Sequence, residues 1–130
     1  MLILTIRTDK PKAEIGLYKD GKQVAYSTWE AHRELARTIH EKIKLSLDEI
    51  KGSWTDIKGI VVYKGPGSFT GLRIGAAVAN ALAYGLKAPV IAAKGDDWIK
   101  DGTRGLAQDK GQHIVIPDYG SDPKTTQQRK

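Results

Sequence analysis

The run Gly65-Pro66-Gly67-Ser68-Phe69-Thr70-Gly71-Leu72-Arg73-Ile74-Gly75 joins an apolar, β-like stretch, Ile60 to Tyr63, to an alanine-rich helical segment that ends near Leu86. A glycine-rich turn between a strand and a helix presents backbone N–H groups at the positive end of the helix dipole, which suits a phosphate or another anion. It also lets a helix approach another backbone closely, and the glycines continue into the helix, where no phosphate can use them. The close-packing reading is the stronger of the two.

Within that helix Gly71, Gly75, Ala79 and Ala83 recur every fourth position, and Ile74, Val78, Leu82 and Leu86 form a parallel row of large apolar residues. At roughly 100° per residue the rows lie about 60° apart and make one wide ridged face. Mid-helix glycines cost about 1 kcal/mol each relative to alanine, so tight packing must offset them. Packing within the chain and packing against a partner chain are both compatible with the pattern.

The order of the remaining elements follows from periodicity and turn chemistry. Leu2 to Ile6, Ala13 to Tyr18 and Gln23 to Thr28 read as strands, and Asp20-Gly21 between the last two is a hairpin signal. From Ala31 to Glu49 the pattern is that of an amphipathic helix, with Leu35, Ile39, Ile43, Leu47 and Ile50 on one side, and Gly52 is expected to stop it. Ile57 to Tyr63 supplies a fourth strand, Phe69 to Leu86 the second helix, and Pro89 to Ala93 a fifth strand. A short helix is expected at Asp96 to Lys100, a loop at Gly102 to Gly111, and a last extended piece at His113 to Ile116. The order βββαβαβ predicts an α/β fold with a mixed five-stranded sheet, an antiparallel meander followed by parallel crossovers, in an RNase H-like arrangement.

With 130 residues, 40% of them hydrophobic, the chain fits one compact domain, expected over residues 1–116, with residues 117–130 as an irregular tail. It has no cysteine, so disulfides, thiolate nucleophiles and cysteine-held metals are excluded, and a reducing, cytoplasmic location is expected. No stretch has the character of a signal peptide or a membrane span, so no membrane partner is expected. The net charge of +6 favours an acidic partner such as RNA, although its lysines are scattered.

Chemistry-bearing residues are sparse. His32, His40 and His113 show no metal-ligand spacing, and no metal or catalytic residue is assigned. Asp96 reads as a helix N-cap, and Ser68 or Thr70 as the cap of the second helix. Trp29, Trp54 and Trp98 are read as packing residues at the edge of the core. Arg73, on an otherwise small and apolar helix, must carry its charge to solvent or a partner.

The stretch from Lys64 to Gly75 closely resembles the signature of the TsaB (YeaZ-like) family, and the likeness runs from Leu2 to about Ala93, with an echo in Ile116-Pro117-Asp118-Tyr119-Gly120. The resemblance implies one lobe of the actin-like ATPase (ASKHA), RNase H-like fold. It also implies a non-catalytic scaffold in threonylcarbamoyl modification (t6A) of adenosine 37 in tRNA, paired through its first two helices with a TsaD-like catalytic subunit and joined by a TsaE-like ATPase. On that reading tRNA is met through the complex, and ATP and metal belong to the partner subunits. The partner face would comprise Leu35, Ile39, Ile43, Gly71, Ile74, Gly75, Val78, Ala79, Leu82 and Ala83. The loop signature would comprise Gly65, Pro66, Gly67, Ser68, Phe69, Thr70, Gly71 and Arg73.

Two departures stand out. Arg7 occupies the position where this superfamily usually ends its first strand in an aspartate, and an arginine can neither ligate Mg²⁺ nor act as a base at neutral pH. The family's second subdomain is also expected to be absent, with about 25 residues between Ala93 and Tyr119. Two other functions remain open. One is a small nucleotide-binding ATPase or phosphotransferase using Gly65 to Thr70, and the other is a homodimer that pairs the same helix face with its own copy.

Overall fold

The computed structural model describes residues 1–31 and 34–108. The expected extended piece at 113–116, the 117–130 tail, the domain limit at 116, His32 and His113 all lie outside them. Five strands and three helices follow in the order β1 (Leu2–Arg7), β2 (Lys12–Lys19), β3 (Lys22–Glu30), α1 (Leu35–Glu49), β4 (Ile57–Tyr63), α2 (Phe69–Leu86), β5 (Val90–Ala93) and α3 (Trp98–Ala107). The sheet order is β3-β2-β1-β4-β5. β1 pairs antiparallel with β2 and parallel with β4, so the expected meander and crossovers are both present.

The strands β1, β2, β4 and β5 split their side chains between two cores because successive residues alternate faces, while β3 adds Ala25 and Trp29 to the first only. Leu4, Ile6, Ile15, Leu17, Ile60 and Val62 pack with Leu35, Ile39 and Ile43 of α1 and Ala76, Ala79 and Ala83 of α2. On the opposite face Ile3, Val61 and Tyr63 pack with Trp98 and Leu106 of α3. The hairpin between β2 and β3 turns through Asp20 (φ 52°) and Gly21 (φ 83°), the left-handed pair that Asp-Gly favours.

Three local expectations are corrected. Helix α3 runs through Gly102, which the sequence reading placed in a loop. Both Gly102 and Gly105 face the sheet, where a Cβ would collide with Val61 and Ile91, so these glycines are close-approach residues and not breakers. Its N-cap is Asp97 and not Asp96, and the Asp97 side chain makes no cap hydrogen bond. Helix α1 ends through Lys51, with φ 56°, and it is the Gly52 amide that returns to the Leu47 carbonyl at 2.8 Å, so the left-handed residue precedes the glycine.

Candidate functional site

The glycine junction meets the end of β1. Ser68 caps α2 by accepting from the Gly71 amide at 3.4 Å; this settles the choice between Ser68 and Thr70. A Cβ on Gly71 would strike the Thr8 carbonyl, and one on Gly75 would strike the Thr8 hydroxyl. That hydroxyl donates to the Gly71 carbonyl at 2.6 Å. The helical glycines therefore seat α2 on the turn that follows the chain's own first strand.

Arg7, Asp9 and Tyr63 form a linked set beside the loop. Arg7 Nε donates to Asp9 Oδ1 at 2.8 Å, and its guanidinium lies 3.9 Å from the centre of the Tyr63 ring. The Tyr63 hydroxyl in turn donates to the Pro66 carbonyl at 2.8 Å, and the Trp98 ring stands edge-on to Tyr63 at 5.7 Å. Asp9 presses on the loop from the other side, since a Cβ at Gly67 would stand 2.5 Å from Asp9 Cβ. Burial opposes the Arg7 charge, but the hydrogen bond and the charge of Asp9 outweigh it and raise the guanidinium pKa above its ordinary value. Burial likewise pushes the Tyr63 phenol up, with Arg7 acting against the shift.

A cleft of 290 Å³ opens between these elements, lined by Thr8, Asp9, Lys10, Leu35, Ser68 and Ile74 among others. Its mouth carries the N-terminal end of α2, which favours anions, together with a carboxylate that repels them and that Arg7 neutralises. Among the described residues no group of three or more metal-ligating side chains occurs.

The sequence-derived partner face divides. Leu35, Ile39, Ile43, Gly75, Val78, Ala79 and Ala83 are buried in the chain's own core, so these residues cannot also line an outer surface. Ile74 and Leu82 remain half-exposed, as does Gly71, whose inner side rests on Thr8. The outward side of α2 is instead Phe69, Arg73, Ala77, Ala81 and Tyr84, with the Arg73 guanidinium 5.4 Å from the Phe69 ring centre. Ala79 and Ala83 share the four-residue row of Gly71 and Gly75 and Ala77 and Ala81 do not; the sequence left open only whether that row packs within the chain or against a partner. Asp9 lies just past the end of β1, and its signal in the sequence is that place beyond the strand that faces the loop. Trp98 is buried and Trp29 and Trp54 are half-buried against the core, as expected. His40 is exposed, its ring 6.4 Å from that of Trp54.

Residues 29–94, half of the chain, match the family described as TsaD, tRNA N6-adenosine threonylcarbamoyltransferase. The chain belongs to this family and is TsaB-like. The TsaB protein of Escherichia coli (strain K12), named for tRNA threonylcarbamoyladenosine biosynthesis, is 38% identical over 96 residues, which cover 70% of this chain and 39% of that protein. YeaZ from Pseudomonas aeruginosa superposes with a TM-score of 0.67 at 26% identity, over 83% of this chain and 50% of that one. RuvC from T. thermophilus, solved with a Holliday junction substrate, shares the fold with a TM-score of 0.53 at 11% identity, over 92% of this chain and 85% of that one. The fold is accordingly RNase H-like, and the chain spans about two-fifths of the length of the curated TsaB relatives. No helix among the described residues is long and apolar enough to cross a membrane.

Proposed function

We propose that this chain is a non-catalytic scaffold in the threonylcarbamoylation of tRNA. In this reading the outward side of α1 and α2 docks a TsaD-like catalytic subunit, a TsaE-like ATPase joins the pair, and tRNA is engaged by the assembly in the cytoplasm. ATP and metal are held by the partners. The observation that carries the reading is the TsaB-like glycine junction, which seats α2 on the turn after β1 and leaves Arg73, Ala77 and Ala81 facing outward. Small residues at that spacing let a second helix approach closely. The Arg7–Asp9 pair supports a role without catalysis, because the carboxylate beside the loop is already neutralised.

The test is size-exclusion chromatography with light scattering on the full chain, alone and mixed with the TsaD-like protein of the same organism. A mixed complex is expected, and Ala77→Trp and Ala81→Trp should each abolish it without changing the melting temperature. Full pairing by both variants would remove α2 from the interface. A dimer of the lone protein, abolished by the same variants, would assign the face to a second copy. Turnover of Mg-ATP by the isolated chain would overturn the non-catalytic reading.

A further inference from the structure

At the end of the sheet opposite the glycine loop, a cavity of 380 Å³ is lined by Leu2, Lys19, Ile50, Lys51, Asp56 and Lys58 among others. The three lysines come from different elements. Lys19 lies opposite Leu2 at the end of β2, Lys51 follows α1, and Lys58 is on β4. Two backbone irregularities place Lys51 and Lys58. Lys51 holds a left-handed φ of 56°, a conformation glycine adopts without steric cost. The β1–β4 register slips between Leu2 and Ile3, which pair with Ile57 and Gly59, so Lys58 stands at a bulge with no β1 residue opposite it. A bulge re-aims the side chain it carries.

The nearby carboxylates are already engaged. Asp56 accepts from the Ser53 amide at 2.8 Å and from its hydroxyl at 3.3 Å, Asp20 pairs with the terminal ammonium of Met1 at 3.1 Å, and Asp48 pairs with Lys44 at 3.2 Å. Among the described residues Lys19, Lys51 and Lys58 form no ion pair, and all three are exposed. Three ammonium groups without an ion pair, against the single carboxylate of Asp56, surround one concavity and suit an anion that can be reached from several sides at once, and a phosphate group has that form. Lysine acts there as a flexible point charge, which fits recognition of a backbone and not of bases.

We propose that this cavity binds phosphate groups, with the phosphodiester backbone of RNA as the source that the chain's net charge of +6 favours. The site does not depend on the docking reading, because all of its lining residues belong to this chain.

The test is fluorescence anisotropy of a labelled tRNA transcript with the full chain, over about 50 to 200 mM salt. Replacing Lys19, Lys51 and Lys58 together by Gln should weaken binding about tenfold or more at the low-salt end and reduce the salt slope by about 2. Replacing Lys12, Lys64 and Lys94, at the other end of the sheet, by Gln should do much less. Pyrophosphate, titrated calorimetrically, identifies the source: if it binds in a manner lost in the Lys19/Lys51/Lys58 variant while RNA does not bind, the site takes a small phosphate ligand. Equal losses in both triple variants would mean general charge attraction and overturn the proposal. So would unchanged binding of both probes by the Lys19/Lys51/Lys58 variant, or no binding of either probe by the wild type.

Discussion

The hydroxyl of Thr8 donates to the carbonyl of Gly71 at 2.6 Å, joining the turn after the first strand to the first turn of α2. This contact exists only because Gly71 and Gly75 have no side chain. The glycine stripe is therefore a condition of folding, and its effect on any partner is indirect.

Gly71→Ala should accordingly destabilise the lone chain by about 3 kcal/mol, since the new methyl meets backbone and not a movable side chain, against a helix-propensity gain of about 1 kcal/mol. Gly85→Ala is the control: nothing lies within 4 Å of the position a Cβ would take, and stability should rise by about 0.5 kcal/mol. Urea unfolding of the two variants checks both signs. Equal effects would contradict the packing of α2 on the turn after β1.

Arg7→Ala leaves Asp9, only 8% exposed, without its cation. The expected loss is about 2 to 3 kcal/mol, and adding Asp9→Ala should restore part of it, because removing both charges is less costly than orphaning one. A double-mutant cycle by chemical denaturation measures the coupling. Additive single losses would mean that the pair contributes nothing as a pair.

The raised phenol of Tyr63 has a consequence at alkaline pH. The folded state holds that proton more tightly than the unfolded chain, so the stabilisation is complete below pH 10, the phenol's ordinary value, and is lost as pH rises beyond it. Burial raises Tyr18 and Tyr26 in the same direction, so melting temperature should fall steadily above pH 10. Tyr63→Phe should make that fall shallower while costing about 1 kcal/mol at neutral pH through the lost bond to Pro66. An unchanged alkaline slope would remove Tyr63 from the account.

Gly102→Ala probes α3. A methyl there would collide with the fully buried Val61 side chain, and a loss of about 1 to 3 kcal/mol is expected by thermal denaturation. A loop residue would tolerate the change, so a neutral result would argue against the helix.

What could be read from the sequence alone was what local chemistry decides. Asp20-Gly21 specified a hairpin, the spacing of Leu35, Ile39 and Ile43 specified an amphipathic helix, and the strand before Gly65 with the alanine-rich run after it specified a β–turn–α unit. Strand β4 and helix α2 match their expected limits because turns and periodicity are set by neighbours a few residues apart. The direction in which α2 faces was different. Its alanines occur on both sides, Ala77 and Ala81 exposed and Ala79 and Ala83 buried, and although the glycine row marks the second pair as the packing side, it does not say whether the partner is this chain or another. Only the meeting of Gly71 and Gly75 with Thr8 chooses the inner side. The same holds for Gly102 and Gly105, which look like breakers until β4 and β5 lie against them, and for Arg7, whose charge is directed by Asp9 and Tyr63. Contacts between residues distant in the chain decided these features, because close approach and charge pairing are properties of two surfaces and a sequence presents each surface separately.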